Sequence, residues 1–138
     1  MNELKNAIDI LISKDIRPSV QRIAILDYLL KNKTHPTVDE IYISLNPSMP
    51  TLSKTTVYNV LKSLVENDIV LALNIDEKNI RYDAVTEDHS HLMCERCNKL
   101  FDIPQPALKE TNLNGYKINR MHLYCWGICP ECNNIINN

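Results

Sequence analysis

Apolar residues in the first 66 positions recur at the three- and four-residue spacing of amphipathic helices. Four stripes follow one another along the chain: Leu4, Ala7, Ile8, Leu11 and Ile12; Ile23, Leu26, Leu29 and Leu30; Ile41 and Leu45; Val57, Val60, Leu61, Leu64 and Val65. Each stripe would face a core while polar residues cover the opposite side of the helix. The pattern predicts that this part of the chain folds as three or four short helices.

Helix starts and breaks agree with these stripes. Ser19, Thr37 and Ser53 each stand where a helix would begin, and Ser and Thr are favoured N-cap residues. Glu40 follows Thr37 at the spacing of a capping box. A proline at position 36, and two more at 47 and 50, separate the stripes, because the residue before proline avoids the helical region.

The helical pattern gives way to two short apolar segments at 69–75 and 80–85, with a polar loop at 76–79 between them. This alternation predicts a β-hairpin. Helices followed by a hairpin are the order of a winged helix, in which the last helix enters the major groove and the hairpin approaches the DNA backbone or the minor groove. A helical bundle with a polar face is the alternative that the pattern leaves open.

Several polar residues are candidates for contact with DNA. Those on the last helix fall outside its apolar stripe, and three basic residues lie elsewhere in the predicted helices and hairpin. The competing interpretation is that all of these are ordinary solvated residues with no role in DNA binding. The candidates are Lys54, Thr55, Thr56, Tyr58, Asn59 and Lys62 on the helix, with Arg17, Arg22 and Lys78 elsewhere. Arg81 is a further basic residue that could hold a phosphate.

From position 89 onward the pattern changes to that of strands. The segments HLMC, KLFDI and YKINRMHLYCWGIC are rich in β-branched, aromatic and alternating residues, and 106–110 has room for two helical turns. The apolar phase of the last segment shifts near Asn119 and Arg120, which indicates a bulge. The whole chain is therefore predicted to be α+β, a winged helix-turn-helix followed by a small α/β domain with a three-stranded sheet.

Charge and composition restrict the function. The 138 residues carry 15 Lys and Arg against 17 Asp and Glu, and residues 1–72 are neutral overall. DNA binding would therefore depend on local clusters of charge and on dimerisation.

No apolar run reaches the length of a membrane span, and charges interrupt the N-terminal segment, so we expect a cytoplasmic protein without a signal peptide. Five cysteines in a reducing compartment indicate metal binding or redox chemistry rather than disulfides.

Four of the cysteines form two C-x-x-C pairs, which is the ligand set of a closed tetrahedral structural zinc site. These are Cys94, Cys97, Cys129 and Cys132. Each pair is followed by an asparagine, Asn98 or Asn133, which tolerates the left-handed backbone of a metal knuckle. A thioredoxin-like redox pair would need a C-x-x-C at a helix N-terminus beside a βαβ unit, and a zinc deaminase would need H-x-E with P-C-x-x-C. Neither pattern is found in the sequence.

Histidines next to the first cysteine pair indicate a second metal ion. His89 and His91 would point to the same side of a strand, and four thiolates would already close the zinc site. Asp83 and Asp102 lie nearby in the predicted strands, and His35 precedes the third helix. A mixed imidazole and carboxylate set suits Fe²⁺ or Mn²⁺, with zinc also possible. The competing interpretation is that these histidines are ordinary surface residues.

These segments together resemble the ferric uptake regulator (Fur) family along nearly the whole chain. The matching stretches are VQR at 20–22, HPTVDEIY at 35–42, LSKTTVYNVLKSL at 52–64, RYDAV at 81–85, HSHLMCERC at 89–97 and GICPEC at 127–132. The resemblance implies a metal-dependent repressor rather than an enzyme, which binds a palindromic operator in double-stranded DNA as a homodimer. It implies a winged-helix DNA-binding domain at 1–84 and a dimerisation and metal-binding domain at 85–138.

The resemblance also implies the composition of the regulatory site. It assigns His35, Asp83, His89, His91 and Asp102 to a site between the domains, where bound metal would fix the angle between them. In a dimer that angle would set the spacing of the two recognition helices, which must match half-sites about one helical turn apart. Tyr58 matches the family tyrosine that contacts bases.

The peroxide-responsive (PerR-like) branch of the family resembles this chain best. Asp102 is the distinguishing position, since the iron-sensing branch typically has glutamate there, and Asn59 also fits. In that branch iron reacts with peroxide and a ligand histidine is oxidised, with His35 and His89 as the candidates here. The alternatives are an iron, manganese or zinc uptake regulator without oxidation chemistry and, more remotely, a zinc-containing hydrolase or redox enzyme.

Three departures from the family pattern qualify the resemblance. Val20 replaces a common proline, and Lys54 occupies a usually small position of the recognition helix, so operator preference could differ. The segment 103–115 is shorter than usual. Met121 stands where a further metal site of some members would need histidine, and we predict no such site.

Overall fold

The computed structural model describes residues 2–84, 89–104, 112–118 and 121–137, without the side chains of 2–4, 112–113 and 136–137. The chain divides into two compact units, Met1–Thr86 and Glu87–Asn138, which we call the helical unit and the sheet unit. None of the described helices has the length and apolar character that crossing a membrane requires.

The helical unit contains the predicted helices and hairpin. The helices are α1 (Asn2–Ser13), α2 (Val20–Lys31), α3 (Val38–Leu45) and α4 (Lys54–Glu66), and the hairpin strands are β1 (Leu71–Leu73) and β2 (Arg81–Asp83). The two strands pair antiparallel, with Leu73 opposite Arg81 at the end nearer the loop. The predicted winged-helix order is confirmed.

The three predicted N-caps are confirmed by hydrogen bonds. The backbone N–H of Arg22 donates to the Ser19 hydroxyl at 3.2 Å, and that of Glu40 donates to the Thr37 hydroxyl at 3.2 Å. At the start of α4 the backbone N–H of Thr56 donates to the Ser53 hydroxyl at 3.0 Å. Each cap satisfies a donor that the first helical turn leaves unpaired.

Removing the cap of α4 should destabilise the helical unit. We expect Ser53→Ala to lower the free energy of unfolding by about 1 kcal/mol, because the N–H of Thr56 loses its acceptor. Chemical denaturation followed by circular dichroism measures this change. Thr51→Ala is the control, since Thr51 is exposed and lies before the cap. An equal loss in both variants would argue against the cap.

The core of the helical unit joins all four helices and the hairpin. Its fully buried side chains include Leu11, Ile25, Leu26, Leu29, Ile41, Val57, Leu61 and Leu64. The stripe predicted for α1 was wrong at Ile12, which is 57% exposed in the last turn of that helix. Ile25 was missing from the α2 stripe although it is fully buried. Because α2 packs against α1, α3 and α4, its buried face is wider than one stripe.

The sheet unit contains the predicted three-stranded sheet. Its elements are β3 (Ser90–Cys94), β4 (Leu100–Ile103), β5 (Asn112–Leu113), β6 (Tyr116–Lys117), β7 (Tyr124–Gly127) and α5 (Pro130–Asn137). The strand order is β4-β3-β7, with β3 antiparallel to β4 and parallel to β7. Strands β5 and β6 form a separate hairpin, whose turn places Asn114 and Gly115 at positive φ.

One predicted strand was wrong. The segment 116–129 was expected to be a single strand, but it contributes β6 to the small hairpin and β7 to the three-stranded sheet. The predicted bulge near Asn119 and Arg120 and the predicted helical turns at 106–110 lie outside the described residues.

Candidate metal centres and nucleic-acid interface

The two C-x-x-C pairs come together in the sheet unit. Cys94 ends β3 and faces Gly127 in the parallel register with β7, which brings the chain back to Cys129 two residues later. The four sulfur atoms all lie within 4.8 Å of one another, and the Cys97 and Cys129 sulfurs are 3.9 Å apart. Cys97 is the most exposed of the four.

Backbone N–H groups surround this sulfur cluster. Those of Cys97 and Cys129 donate to the Cys94 sulfur at 3.5 and 3.4 Å and lower the pKa of the Cys94 thiol to about 6. Burial, followed by the neighbouring sulfurs, raises the pKa of the Cys132 thiol to about 12. The protein thus favours the thiolate at one position and opposes it at another.

A divalent cation held by the four sulfurs would resolve this conflict, because it would compensate the negative charge on all of them together. Four thiolates from two C-x-x-C pairs, with N–H groups donating to sulfur, fit a closed tetrahedral Zn²⁺ site. The residues present therefore fit the predicted structural zinc.

The local structure after the two pairs differs from the prediction in part. Asn98 adopts the expected left-handed backbone with φ 59°, whereas Asn133 lies inside α5, so its predicted knuckle was wrong. The second pair therefore begins a helix, which removes one reason given against a thioredoxin-like redox pair. The convergence of all four sulfurs is the stronger reason, because such a redox site uses one pair.

The helical unit supplies one imidazole and one carboxylate side by side. His35 lies in the loop before α3 and Asp83 ends β2; both are buried, and their Nε2 and Oδ2 atoms are 3.6 Å apart. The His35 backbone is left-handed, with φ 55°. The adjoining Pro36 carbonyl accepts a hydrogen bond from the Tyr82 N–H at 3.0 Å, which fixes the loop against β2.

The sheet unit supplies two imidazoles and one carboxylate. His91 on β3 lies opposite Asp102 on β4, and their Nε2 and Oδ1 atoms are 3.3 Å apart. The Nε2 atom of His89 approaches the same oxygen at 3.4 Å, and the two imidazole rings meet edge to face at 4.5 Å. All five histidine and aspartate candidates thus lie in donor groups, two residues in the helical unit and three in the sheet unit.

The candidate DNA-contacting residues of α4 are mostly exposed. Lys54, Thr55, Asn59 and Lys62 face solvent, and Tyr58 is 49% exposed. Thr56 differs, because it is half-buried with its hydroxyl 2.9 Å from that of Ser53. Its side chain takes part in the helix cap.

Lys54 makes contacts within the protein as well. Its ammonium lies 3.2 Å from the Asp39 carboxylate and 5.7 Å above the Tyr42 ring, so it links the start of α4 to α3. Lys54, which replaces the usually small residue of the family pattern, therefore has two contacts within the protein, Asp39 and Tyr42.

The basic candidates outside α4 have different environments. Arg17 and Lys78 are exposed, whereas the Arg22 guanidinium donates to the Arg17 carbonyl at 2.8 Å and supports the loop before α2. Arg81, considered above as a phosphate contact, donates to the Asp76 carboxylate at 3.1 Å and to the His35 carbonyl at 3.2 Å. This internal role was not predicted from the sequence. Its only signal there was an aspartate that begins the polar loop and an arginine that lies two residues after its end.

A winged helix followed by a sheet unit with a four-cysteine cluster, and with histidine and aspartate donors in both units, defines a metal-responsive transcription regulator. Residues 13–126 match the sequence model of the Ferric uptake regulator family. The chain belongs to this family, as the resemblance implied.

Similar proteins include peroxide-responsive members. The Peroxide operon regulator of Bacillus subtilis (strain 168) is 38% identical over 136 residues, covering 95% of this chain and 94% of that protein. A solved structure of PerR from Streptococcus pyogenes, described as a structural basis for peroxide sensing and gene regulation, is 31% identical with a TM-score of 0.55, covering 94% of this chain and 92% of that one.

An iron-bound family member is similar as well. The Ferric uptake regulator of Francisella tularensis, solved with iron, is 26% identical with a TM-score of 0.70, covering 86% of this chain and 95% of that one. The chain is therefore a metal-dependent regulator similar to peroxide-responsive repressors, and the hydrolase or redox-enzyme alternative is wrong.

Proposed function

We propose that the protein is a homodimeric repressor that binds a palindromic operator when metal occupies a regulatory site, and that peroxide inactivates it by oxidising a ligand histidine. The observation that carries this proposal is the division of the histidine and aspartate donors between the units. A metal ion bound by both groups would connect the part that contacts DNA, assigned to 1–84, with the part that dimerises, assigned to 85–138.

The regulatory ion, Fe²⁺ or Mn²⁺, would be held by three imidazoles and two carboxylates. These are His35 and Asp83 from the helical unit with His89, His91 and Asp102 from the sheet unit. The two carboxylates balance the charge of a divalent ion, and the donor types suit iron and manganese. The short separations within each group, 3.6 Å in one and 3.3 and 3.4 Å in the other, support this assignment because donors of one ion must lie that close.

The structural ion would be Zn²⁺ held by Cys94, Cys97, Cys129 and Cys132. A closed thiolate set holds zinc without an open coordination position and so serves folding rather than sensing. The two sites therefore have separate roles, one permanent and one exchangeable.

The exposed side of α4 would enter the major groove. Tyr58 offers a ring edge to a thymine methyl, Asn59 can pair with an adenine edge, and Thr55 and Lys62 can reach bases or phosphates. Arg17 and Lys78 are further phosphate candidates. Exposed apolar side chains in the sheet unit, Trp126 and Ile128 among them, support burial of this unit against a second copy.

Substitutions on α4 should separate specificity from affinity. Lys62→Met should weaken binding to all sequences and reduce the slope of log affinity against log salt by about 1, as expected for one lost phosphate contact. Asn59→Ala should instead reduce discrimination between base pairs by roughly 1–3 kcal/mol at one operator position. Fluorescence anisotropy over a salt series and a set of single-base operator variants measures both. Lys14→Met, on an exposed residue after α1, is the charge-matched control for Lys62→Met.

Peroxide would act at the donor histidines. Fe²⁺ held by these residues would supply the redox chemistry for peroxide reduction. The net change would place one peroxide oxygen on an imidazole carbon and the other in water, with the imidazole losing two electrons. The chain's own residues place the imidazoles for this reaction, since Asp83 lies against the His35 ring and Asp102 against the rings of His89 and His91. His35 and His89 are the candidates for oxidation. An oxidised imidazole is a poorer ligand, so the donor group would lose its metal.

The test compares two metals on one operator. The operator is selected from a random pool with metal-loaded protein, and anisotropy is recorded before and after a small peroxide pulse. We expect both the Fe²⁺ and the Mn²⁺ forms to bind and a chelator to release both, but only the Fe²⁺ form to dissociate after the pulse. Peptide mass spectrometry should then find one added oxygen on a donor histidine. Binding that survives chelator would contradict the metal-dependent repressor.

A second candidate is a sensor of iron, manganese or zinc supply that uses the same donors without oxidation. The likeness to the iron-bound regulator of Francisella tularensis supports it. Release of neither metal form by peroxide, together with binding that follows metal concentration, would favour this candidate.

A further inference from the structure

Arg81 lies between two parts of the helical unit that the proposed function uses separately. One is the wing turn, residues 74–80 between β1 and β2, and the other is the His35 loop, residues 32–37 before α3. The Arg81 Nε atom donates to the Asp76 carboxylate at 3.1 Å, and its Nη1 atom donates to the His35 carbonyl at 3.2 Å. One guanidinium thus bonds to both.

Strand β2 holds the His35 loop with each of its three residues. Arg81 donates through its side chain to the His35 carbonyl, and Tyr82 donates through its backbone N–H to the Pro36 carbonyl at 3.0 Å. Asp83 places its carboxylate 3.6 Å from the His35 imidazole. The contacts are consecutive, so the position of β2 determines where the His35 ring lies.

The His35 loop depends on such contacts because its backbone is strained. His35 has φ 55°, a left-handed conformation that is uncommon for non-glycine residues and costs free energy that surrounding contacts must offset. The carbonyl that Arg81 holds belongs to this same residue. Loss of that hydrogen bond would therefore leave the ring of a proposed ligand less well placed.

On the wing side the same guanidinium fixes the turn. Asp76 accepts the backbone N–H of Lys78 at 2.9 Å with one carboxylate oxygen and Arg81 with the other. The side chains of Arg81 and Asp76 are 19% and 17% exposed, so the pair is partly shielded from solvent. The planar fork of arginine can donate in two directions at once, which the single ammonium of lysine does not reproduce.

We propose that Arg81 is a positioning residue that joins the wing turn to the His35 loop, so that metal binding at His35 and DNA contact by the wing favour each other. This inference rests on the proposed regulatory site. Coupling between two binding sites is reciprocal. If metal binding at His35 stabilises the wing conformation that binds DNA, DNA binding must raise the affinity for the metal by the same factor.

The sharpest variant is Asp76→Asn, because Asp76 lies in the wing turn. Its described contacts are with Lys78, Asn79 and Arg81, and none of these is a proposed metal ligand. Glu77→Gln is the matched control, since it removes the same charge from the adjacent exposed residue. Arg81→Lys retains the charge but not the fork. Thermal unfolding of the zinc-loaded protein shows which variants retain the fold.

Mn²⁺ affinity of the zinc-loaded protein is measured by calorimetry, and operator affinity by anisotropy with and without Mn²⁺. We expect Asp76→Asn and Arg81→Lys to weaken Mn²⁺ binding ~10-fold, the lower end of the loss seen for outer partners of metal ligands. The gain in operator affinity that Mn²⁺ confers should shrink in both variants, while Glu77→Gln should behave as the unmodified protein. Equal Mn²⁺ affinity in Asp76→Asn and Glu77→Gln would overturn the inference.

A second readout does not need the metal. Hydrogen exchange of the Tyr82 amide, which donates to Pro36, reports on the His35 loop directly. It should be faster in Asp76→Asn and Arg81→Lys than in Glu77→Gln. If the unmodified protein bound no Mn²⁺, the proposed function would fail. Tyr82 exchange would still test whether the wing turn and the His35 loop are coupled. Exchange in Asp76→Asn as slow as in the unmodified protein would overturn this coupling.

Discussion

Serine in place of Cys129 should remove zinc from the protein and unfold the sheet unit. Cys129 contributes a sulfur to the four-cysteine cluster, accepts the Cys132 N–H at 3.5 Å, and donates its own N–H to the Cys94 sulfur at 3.4 Å. A hydroxyl does not replace a thiolate as a zinc ligand. We expect zinc affinity to fall by more than ~100-fold. Loss of a residue that only hydrogen-bonds to a metal ligand costs up to about 100-fold, and Cys129 would be a ligand itself.

Unfolding should accompany zinc loss because the sulfur cluster is also the core of the sheet unit. Among the described residues of this unit, the buried apolar cluster consists of Cys94, Cys129 and Cys132 with Phe101 packed against it. The helical unit, by contrast, buries apolar side chains from four helices and its hairpin. A small unit with so little apolar core depends on its metal for stability.

Trp126 reports on this change, since it is the single tryptophan of the chain and lies on β7. Metal content by mass spectrometry, Trp126 fluorescence and sedimentation together follow zinc, folding and association. Cys125→Ser is the matched control, because it makes the same cysteine-to-serine change on β7, next to Trp126, at a cysteine outside the four-cysteine cluster. Full zinc content and unchanged Trp126 emission in Cys129→Ser would refute the structural role.

The helical unit could be predicted closely from the sequence because its signals are local. Caps at Ser19, Thr37 and Ser53 and apolar stripes three and four residues apart act within one or two helical turns. Errors arose where tertiary packing decides. Ile25 is buried because α1, α3 and α4 all pack against α2, and Ile12 is exposed in the last turn of α1. Neither outcome follows from the spacing of apolar residues alone.

The sheet unit was less predictable, because its pairings join residues far apart in the sequence. The parallel register of β3 with β7 brings Cys94 next to Gly127, and no local pattern specifies it. Spacing nevertheless predicted the sulfur cluster, since two C-x-x-C pairs supply four ligands wherever the chain brings them together. The link through Arg81 was invisible for the same reason, as the His35 carbonyl it contacts lies 46 residues away.

Alanine in place of Asp102 should abolish regulation without loss of the fold. One oxygen of this carboxylate lies 3.4 Å from the Nε2 atom of His89 and 3.3 Å from that of His91, so it lies next to both imidazoles of the sheet unit. We expect Mn²⁺ affinity to fall by more than ~100-fold, beyond the loss expected for an outer partner. Operator binding should then no longer depend on Mn²⁺, while zinc content stays the same. Asp9→Ala, on the exposed side of α1, is the charge-matched control.

Glutamate at the same position separates metal binding from peroxide chemistry. The resemblance places glutamate here in the iron-sensing branch, and one more methylene moves the carboxylate relative to the two imidazoles that now share its oxygen. Asp102→Glu should therefore keep metal-dependent operator binding, while the peroxide-driven release of its Fe²⁺ form slows ~10-fold or more, as a small misplacement of reacting groups can cause. Anisotropy after a peroxide pulse, with Asp102→Ala beside it, measures this. Release from Asp102→Glu as fast as from the unmodified protein would show that Asp102 does not set the peroxide response.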